Sequence, residues 1–198
     1  MEKHGIFDSP TTAAHCVWLE DEDFDILKRH GVTVACCPAS NLKLASGYAN
    51  VPKMLESGIN VALGTDGAAS NNNLNIMQDM YLFGVVYKGY FRDPTIITPA
   101  EVLHAATRAG ALSQGRDDSG LLAVGMRADL CVLNTDTPQF TPMTSAACNV
   151  VYAAQGADIR MTMVDGEILY RDGEFKTIDI EKVKAEVQRR TDSILSRL

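Results

Sequence analysis

The sequence predicts an α/β protein in which parallel βα units give way to a strand-rich segment. Three observations carry that prediction. Apolar runs of strand length alternate three times with helical patterns between Thr11 and Tyr87, as in a chain that builds parallel βα units. Each run is nearly continuous rather than alternating, as expected when both faces of a strand are covered. From Leu121 onward the texture changes to short strands and turn signals such as Asp165-Gly166.

The elements follow in order. Thr11 to Val17 begins β-branched and reads as a buried strand ending near His15. Glu20 to His30 reads as a helix, with acidic residues in its first turn, Lys28 and Arg29 in its last, and Gly31 as its stop. Val32 to Cys37 is the second strand, ended by Pro38, and a loop is expected over 38–50. A short helix runs through Val51, Met54 and Leu55 to Gly58. Ile59 to Leu63 is the third strand and Leu74 to Tyr87 a longer helix. Thr98-Pro-Ala-Glu101 is a helix start: Thr98 caps, Pro99 suits the first turn and Glu101 completes a capping box. That helix shows an apolar face from Val102 to Leu112. Strands are expected over 128–133, 149–154 and 158–164, the last joined to Glu167–Tyr170 by the Asp165-Gly166 hairpin, with a further turn at 171–173. Ile180 to Leu198 closes as a charged helix with Ile180, Val183, Val187 and Ile194 on one side. The reading divides the chain at 1–118, 119–178 and 179–198.

Composition narrows the function. The 198 residues are 46% hydrophobic and 22% charged, ordinary for a globular chain. The formal net charge of −7 argues against nucleic acid or an anionic membrane as partner. No run of eighteen apolar residues suggests a membrane span, and the N-terminal stretch lacks the apolar core of a signal peptide. Five cysteines without a CxxC pair read as reduced thiols in a cytoplasmic protein. A zinc site on adjacent Cys36 and Cys37 would need a spacing that zinc sites do not use.

Three strands end in polar residues: His15, the loop over 38–41, and Asp66 in Gly64-Thr65-Asp66-Gly67. The carboxyl ends of parallel strands carry the chemistry of such folds. Imidazole and carboxylate are both metal ligands and proton carriers. Each also has an ordinary reading: His15 as hydrogen-bonded packing, Asp66 as a turn residue or helix cap. Ser70 and Asn71 to Asn73 read as loop and cap residues.

The stretches AHCVWL, SNLKLASG, GTDGAASNN, PAEVLHAAT and GMRADLCVLN, in that order, resemble the amidohydrolase superfamily. The resemblance runs from about Glu2 to Phe175, within the cytosine-deaminase-like and chlorohydrolase-like branch, and is best to the methylthioadenosine/S-adenosylhomocysteine deaminases. It implies the C-terminal part of a (β/α)8 TIM-type barrel, strands six to eight with their helices, plus part of a small β-domain and a C-terminal helix. It implies one divalent metal, zinc or iron, in the complete enzyme. Asp66 would bind that metal and carry the proton, His15 would orient water and substrate, and Ser70 would touch the substrate. The activity implied is hydrolytic deamination of an aminopurine nucleoside; guanine, cytosine or a chloro-triazine are the other substrates of the branch.

The family takes further metal ligands from an HxH motif and a fifth-strand histidine, and the sequence has no HxH. This chain alone is therefore expected to bind metal weakly or not at all and to be inactive without the missing N-terminal half. That half, or a second copy in a homo-oligomer, is the expected macromolecular partner. The alternative is a non-catalytic remnant or assembly module that keeps His15 and Asp66 by descent.

Overall fold

The computed structural model describes residues 1–197. Two compact units emerge: Met1–Met126 with Thr135–Asp158, and 127–134 with the chain from Ile159 onward.

The first unit is built on three parallel strands in the order β1-β2-β3: β1 (Thr12–Ala14), β2 (Thr33–Cys36) and β3 (Val61–Leu63). The register pairs Ala13 with Val34 and Val34 with Val61. Helix α1 (Asp21–Arg29) returns the chain between β1 and β2. Its start is secured by the Asp23 carboxylate, which accepts the Glu20 backbone N–H at 2.9 Å. Gly31, at φ 61, then turns the chain in the left-handed region that glycine tolerates best. Between β2 and β3 lie two short helices, α2 (Pro38–Lys43) and α3 (Val51–Glu56).

After β3 come α4 (Ala68–Asn71) and the long α5 (Ile76–Phe91). Helix α5 buries Met80, Phe83 and Tyr87 in the core. The capping box at Thr98 forms as the sequence predicts: Glu101 N–H donates to Thr98 Oγ1 at 3.3 Å and Thr98 N–H to Glu101 Oε2 at 2.6 Å. The helix it opens breaks at Thr107 into α6 (Pro99–Ala106) and α7 (Arg108–Ser113), both packed on β3. Helix α8 (Ala146–Tyr152) docks on α5 and α6. It comes so close that a Cβ on Gly84 of α5 would meet Tyr152 at 3.1 Å and Val151 at 3.3 Å.

The second unit is a four-stranded antiparallel sheet in the order β4-β5-β6-β7: β4 (Leu130–Leu133), β5 (Ile159–Val164), β6 (Glu167–Arg171) and β7 (Glu174–Phe175). Asp165 and Gly166, at φ 52 and 81, make the two-residue turn between β5 and β6, and Asp172 and Gly173, at φ 48 and 93, repeat it before β7. Two positive φ values in succession match the right-handed twist of a tight hairpin. Helix α9 (Ile180–Leu195) ends this unit. Among the described residues no helix is long and apolar enough to cross a membrane.

Three expectations need correction. The stretch over 149–154 is no strand, and 149–152 is helical: Ser145 accepts the Cys148 N–H and starts α8, and packing on α5 outweighs the strand propensity of Val150-Val151-Tyr152. The stretch from Pro38 is not all loop, because Pro38 opens α2. Strand β1 is not buried: Thr12 and Ala14 are exposed, since β1 forms the edge of its sheet. The expected helix α9 forms, and Val183, Val187 and Ile194 on its apolar side are exposed. Leu198, included in the expected last helix, lies outside the described residues.

Candidate functional site

His15 follows β1 directly, Ser40 and Asn41 follow β2 on α2, and Asp66 follows β3. The parallel register therefore delivers all four side chains to one end of the sheet. His15 and Asp66 both sit in the left-handed backbone region, at φ 66 and 60, and so does Cys16 at φ 47. That conformation costs a side-chain-bearing residue roughly 1–2 kcal/mol. Such strain is retained where the surrounding structure holds it. Here hydrogen bonds hold it: His15 N–H donates to Ala35 O at 2.9 Å and Cys16 N–H to Ala14 O at 2.8 Å.

The two strand-end side chains predicted from sequence meet. His15 Nε2 lies 3.8 Å from Asp66 Oδ2, with the side chains 40% and 30% exposed. On its other side, His15 Nδ1 lies 2.8 Å from Asn41 Oδ1. With Nδ1–H donating to Asn41, the Nε2 lone pair is directed away from α2. Asn41 itself is buried, and its Nδ2 has no hydrogen-bond partner among the described residues.

Asp66 is surrounded by donors. The Ser40 hydroxyl donates to Oδ2 at 2.6 Å and the Gly67 N–H to Oδ1 at 2.7 Å. Hydrogen bonds from Ser40, then Ser70, then Gly67 hold the carboxyl down at about 2, with a smaller contribution from His15. Asp66 is thus an anion at every physiological pH. Ser70 lies on the short α4, where its single hydroxyl proton is shared between Asp66 and Gly67 O, the latter at 3.2 Å. The structure therefore brings His15, Asp66 and Ser70 together.

Sequence reasoning placed Ser40 and Asn41 at a strand end, in a loop over 38–41, without giving them a role, and it missed Asp79 on α5. The signal for α2 was Pro38 directly after a strand, at the position where proline starts a helix.

The cysteines play a different part. Cys36 is fully buried, its Sγ 3.4 Å from the Tyr87 hydroxyl, and burial pushes its thiol up to about 12. Cys37 is pushed up to about 11, again first by burial and then by the negative charge of Asp66. Neither thiol supplies thiolate at neutral pH. Among the described residues no three His, Cys, Asp or Glu side chains gather closely enough to hold a metal ion. A catalytic zinc takes three protein ligands. His15 and Asp66 offer two donors, so these residues by themselves do not fit that centre.

A family model described as the Amidohydrolase family matches residues 1–169. The chain is 46% identical over 194 residues to a 5-methylthioadenosine/S-adenosylhomocysteine deaminase of Acetivibrio thermocellus, covering 98% of this chain and 45% of that protein. It is 42% identical over 198 residues to a 5′-deoxyadenosine deaminase of Methanosarcina mazei, covering 100% of this chain and 46% of the relative. Among solved structures, an adenosine deaminase from Xanthomonas campestris with bound zinc superposes with a TM-score of 0.90 at 30% identity, over 93% of this chain and 42% of that one. The chain thus spans under half the length of the relatives it matches, and the matched stretch is their C-terminal part.

Proposed function

Because this chain belongs to the amidohydrolase family, we propose that it supplies one side of the catalytic centre of a deaminase acting on adenosine-type nucleosides. The remaining ligands and the other side of the substrate pocket would come from polypeptide outside these 198 residues. The observation that carries the reading is the convergence of His15 and Asp66 at 3.8 Å, with Asp66 held anionic by three donors.

The reaction replaces the ring amine by oxygen. Water adds through its oxygen to the ring carbon, the carbon–nitrogen bond breaks, and the nitrogen leaves as ammonia after taking up a proton. In this reading Asp66 accepts a proton from the attacking water and returns it to the leaving nitrogen. His15, steadied by Asn41, orients the water through Nε2, and Ser70 contacts the nucleoside. A carboxylate held at about 2 is a good ligand and a weak base. The proton-carrying role therefore requires that substrate and the completing polypeptide desolvate Asp66 and raise its proton affinity. A divalent metal, zinc or iron, would be held in the completed centre with Asp66 among its ligands and would supply acidified water there.

The completing polypeptide has a place to dock. The outer edge of β1 is unpaired within its sheet. Beside it lies a cavity of about 610 Å³ lined by Ile6, Phe7, Ala13, Leu19 and Ile26 among others, apart from the His15–Asp66 pair. An unpaired edge beside apolar surface is a template for strand addition.

The test is co-expression with the N-terminal half of a methylthioadenosine/S-adenosylhomocysteine deaminase. Ammonia release from 5′-methylthioadenosine, S-adenosylhomocysteine and adenosine is then measured with zinc or iron present. Ammonia release that disappears in Asp66→Asn supports the reading. A folded, metal-loaded complex that releases none overturns it, in favour of a non-catalytic module of the same fold.

A further inference from the structure

The ends of β2 and β3 are tied together by a carboxylate that the proposed chemistry does not use. Asp79 lies on α5 and is 1% exposed. Its Oδ1 accepts the backbone N–H of Ala39 at 3.1 Å and its Oδ2 accepts Asn71 Nδ2 at 3.1 Å. Asn71 Nδ2 also donates to Thr65 O at 2.8 Å. Ala39 precedes Ser40, Thr65 precedes Asp66, and Ser40 donates to Asp66. The path Asp79–Ala39–Ser40–Asp66–Thr65–Asn71–Asp79 closes on itself.

We propose that Asp79 is a positioning residue for Asp66: it fixes α2 and, through Asn71, the Thr65 backbone at the β3 end, so that Ser40 holds the Asp66 carboxylate where it meets His15. The role of Asp66 in catalysis rests on the deaminase reading above; the ring itself does not.

Two features favour positioning over filling. First, two separate buried donors converge on one side chain, and only a carboxylate gives a full acceptor oxygen to each. Second, Asp79 is fully buried on a helix whose neighbouring positions, Met80 and Phe83, are buried and apolar. Burial raises the Asp79 carboxyl, so holding its charge there costs stability that an apolar side chain would not. What the charge secures is geometry: through Ala39 it sets the helix whose next two residues contact Asp66 and His15.

The experiment compares the wild-type chain with Asp79→Leu and Asp79→Asn, using two-dimensional NMR and amide exchange. The Gly67 amide, which donates to Asp66, reports the carboxylate position, and the Ala39 amide reports the clamp. In folded Asp79→Leu, Ala39 exchange is expected to rise at least tenfold and the Gly67 resonance to move, while amides of the second unit stay put. If Asp79→Leu does not fold, Asp79→Asn decides, because it keeps the shape and one acceptor; at least a threefold rise at Ala39 is expected. Unchanged Ala39 and Gly67 amides in a folded variant overturn the proposal. These readouts need no substrate or metal, so they stand even if the deaminase reading fails. In an active reconstituted enzyme, Asp79→Asn is expected to lower kcat at least tenfold with KM within twofold. An unchanged kcat there overturns the positioning role.

Discussion

The Ser40 hydroxyl donates to Asp66 Oδ2 at 2.6 Å, across the ends of two neighbouring parallel strands. It is the largest influence holding the Asp66 carboxyl low. Ser40→Ala is therefore expected to raise the Asp66 proton affinity, read by the carbon-13 shift of its carboxyl through an acid titration. The stability cost is about 1 kcal/mol, typical of one lost hydrogen bond. An acid titration identical to wild type would remove Ser40 from this role.

Asp66 and Asp79 are expected to shape acid stability in opposite directions. Asp66 is at about 2 in the fold, against roughly 3.9 for an unfolded aspartate. Its contribution is therefore present above pH ~4 and lost as pH falls toward the folded value. Asp79 is raised, chiefly by burial. Its contribution is full below the unfolded value near 3.9 and is lost as pH rises through the higher folded one. Urea midpoints against pH should show the acid loss flattened in Asp66→Asn. In Asp79→Asn, the loss on raising pH above ~4 should shrink.

His15 is held at φ 66. His15→Gly is thus expected to be more stable than His15→Ala by about 1 kcal/mol, since glycine adopts this conformation without penalty. Urea denaturation of the two variants measures it. Equal stabilities would show that the backbone relaxes once the imidazole is gone.

Gly84→Val probes the packing that seats α5. A Cβ at Gly84 already meets Tyr152 at 3.1 Å, and valine adds two methyl groups. A loss of about 1–3 kcal/mol is expected from overpacking. Gly84→Ala should fall between valine and wild type in a urea midpoint series.

Asp66 and His15 could be read from the chain because each directly follows a short apolar run, and parallel strands place such positions on a common rim. Ser40 and Asn41 were legible only as part of a strand-end loop, because Pro38 after Cys37 reads equally as the start of a loop and as the first residue of a helix. The choice is made by tertiary contacts, chiefly the Asp79 carboxylate on Ala39 N–H. Asp79 was hidden for a related reason: an aspartate in a helical pattern reads as solvent-facing, and only the fold brings two buried donors to it. The error over 149–154 has the same origin, since a short β-branched run carries no information about the α5 and α6 surface that receives it.

Ala39, Ser40 and Asn41 are consecutive, and each grips a different element: α5, the β3 end and the β1 end. The Ser40 and Asn41 side chains point about 100° apart and so reach different strands, while Ala39 offers a backbone N–H that the first turn of the helix leaves without a partner inside the helix. A single codon inserted between Cys36 and Ala39 is expected to shift α2 against β2, moving the Ala39 N–H off Asp79 and turning the Ser40 and Asn41 side chains away from Asp66 and His15. Length changes should be tolerated better downstream, over 44–48, ahead of the buried Ala49 and the Asn50 cap of α3, a difference that insertion scanning would map directly.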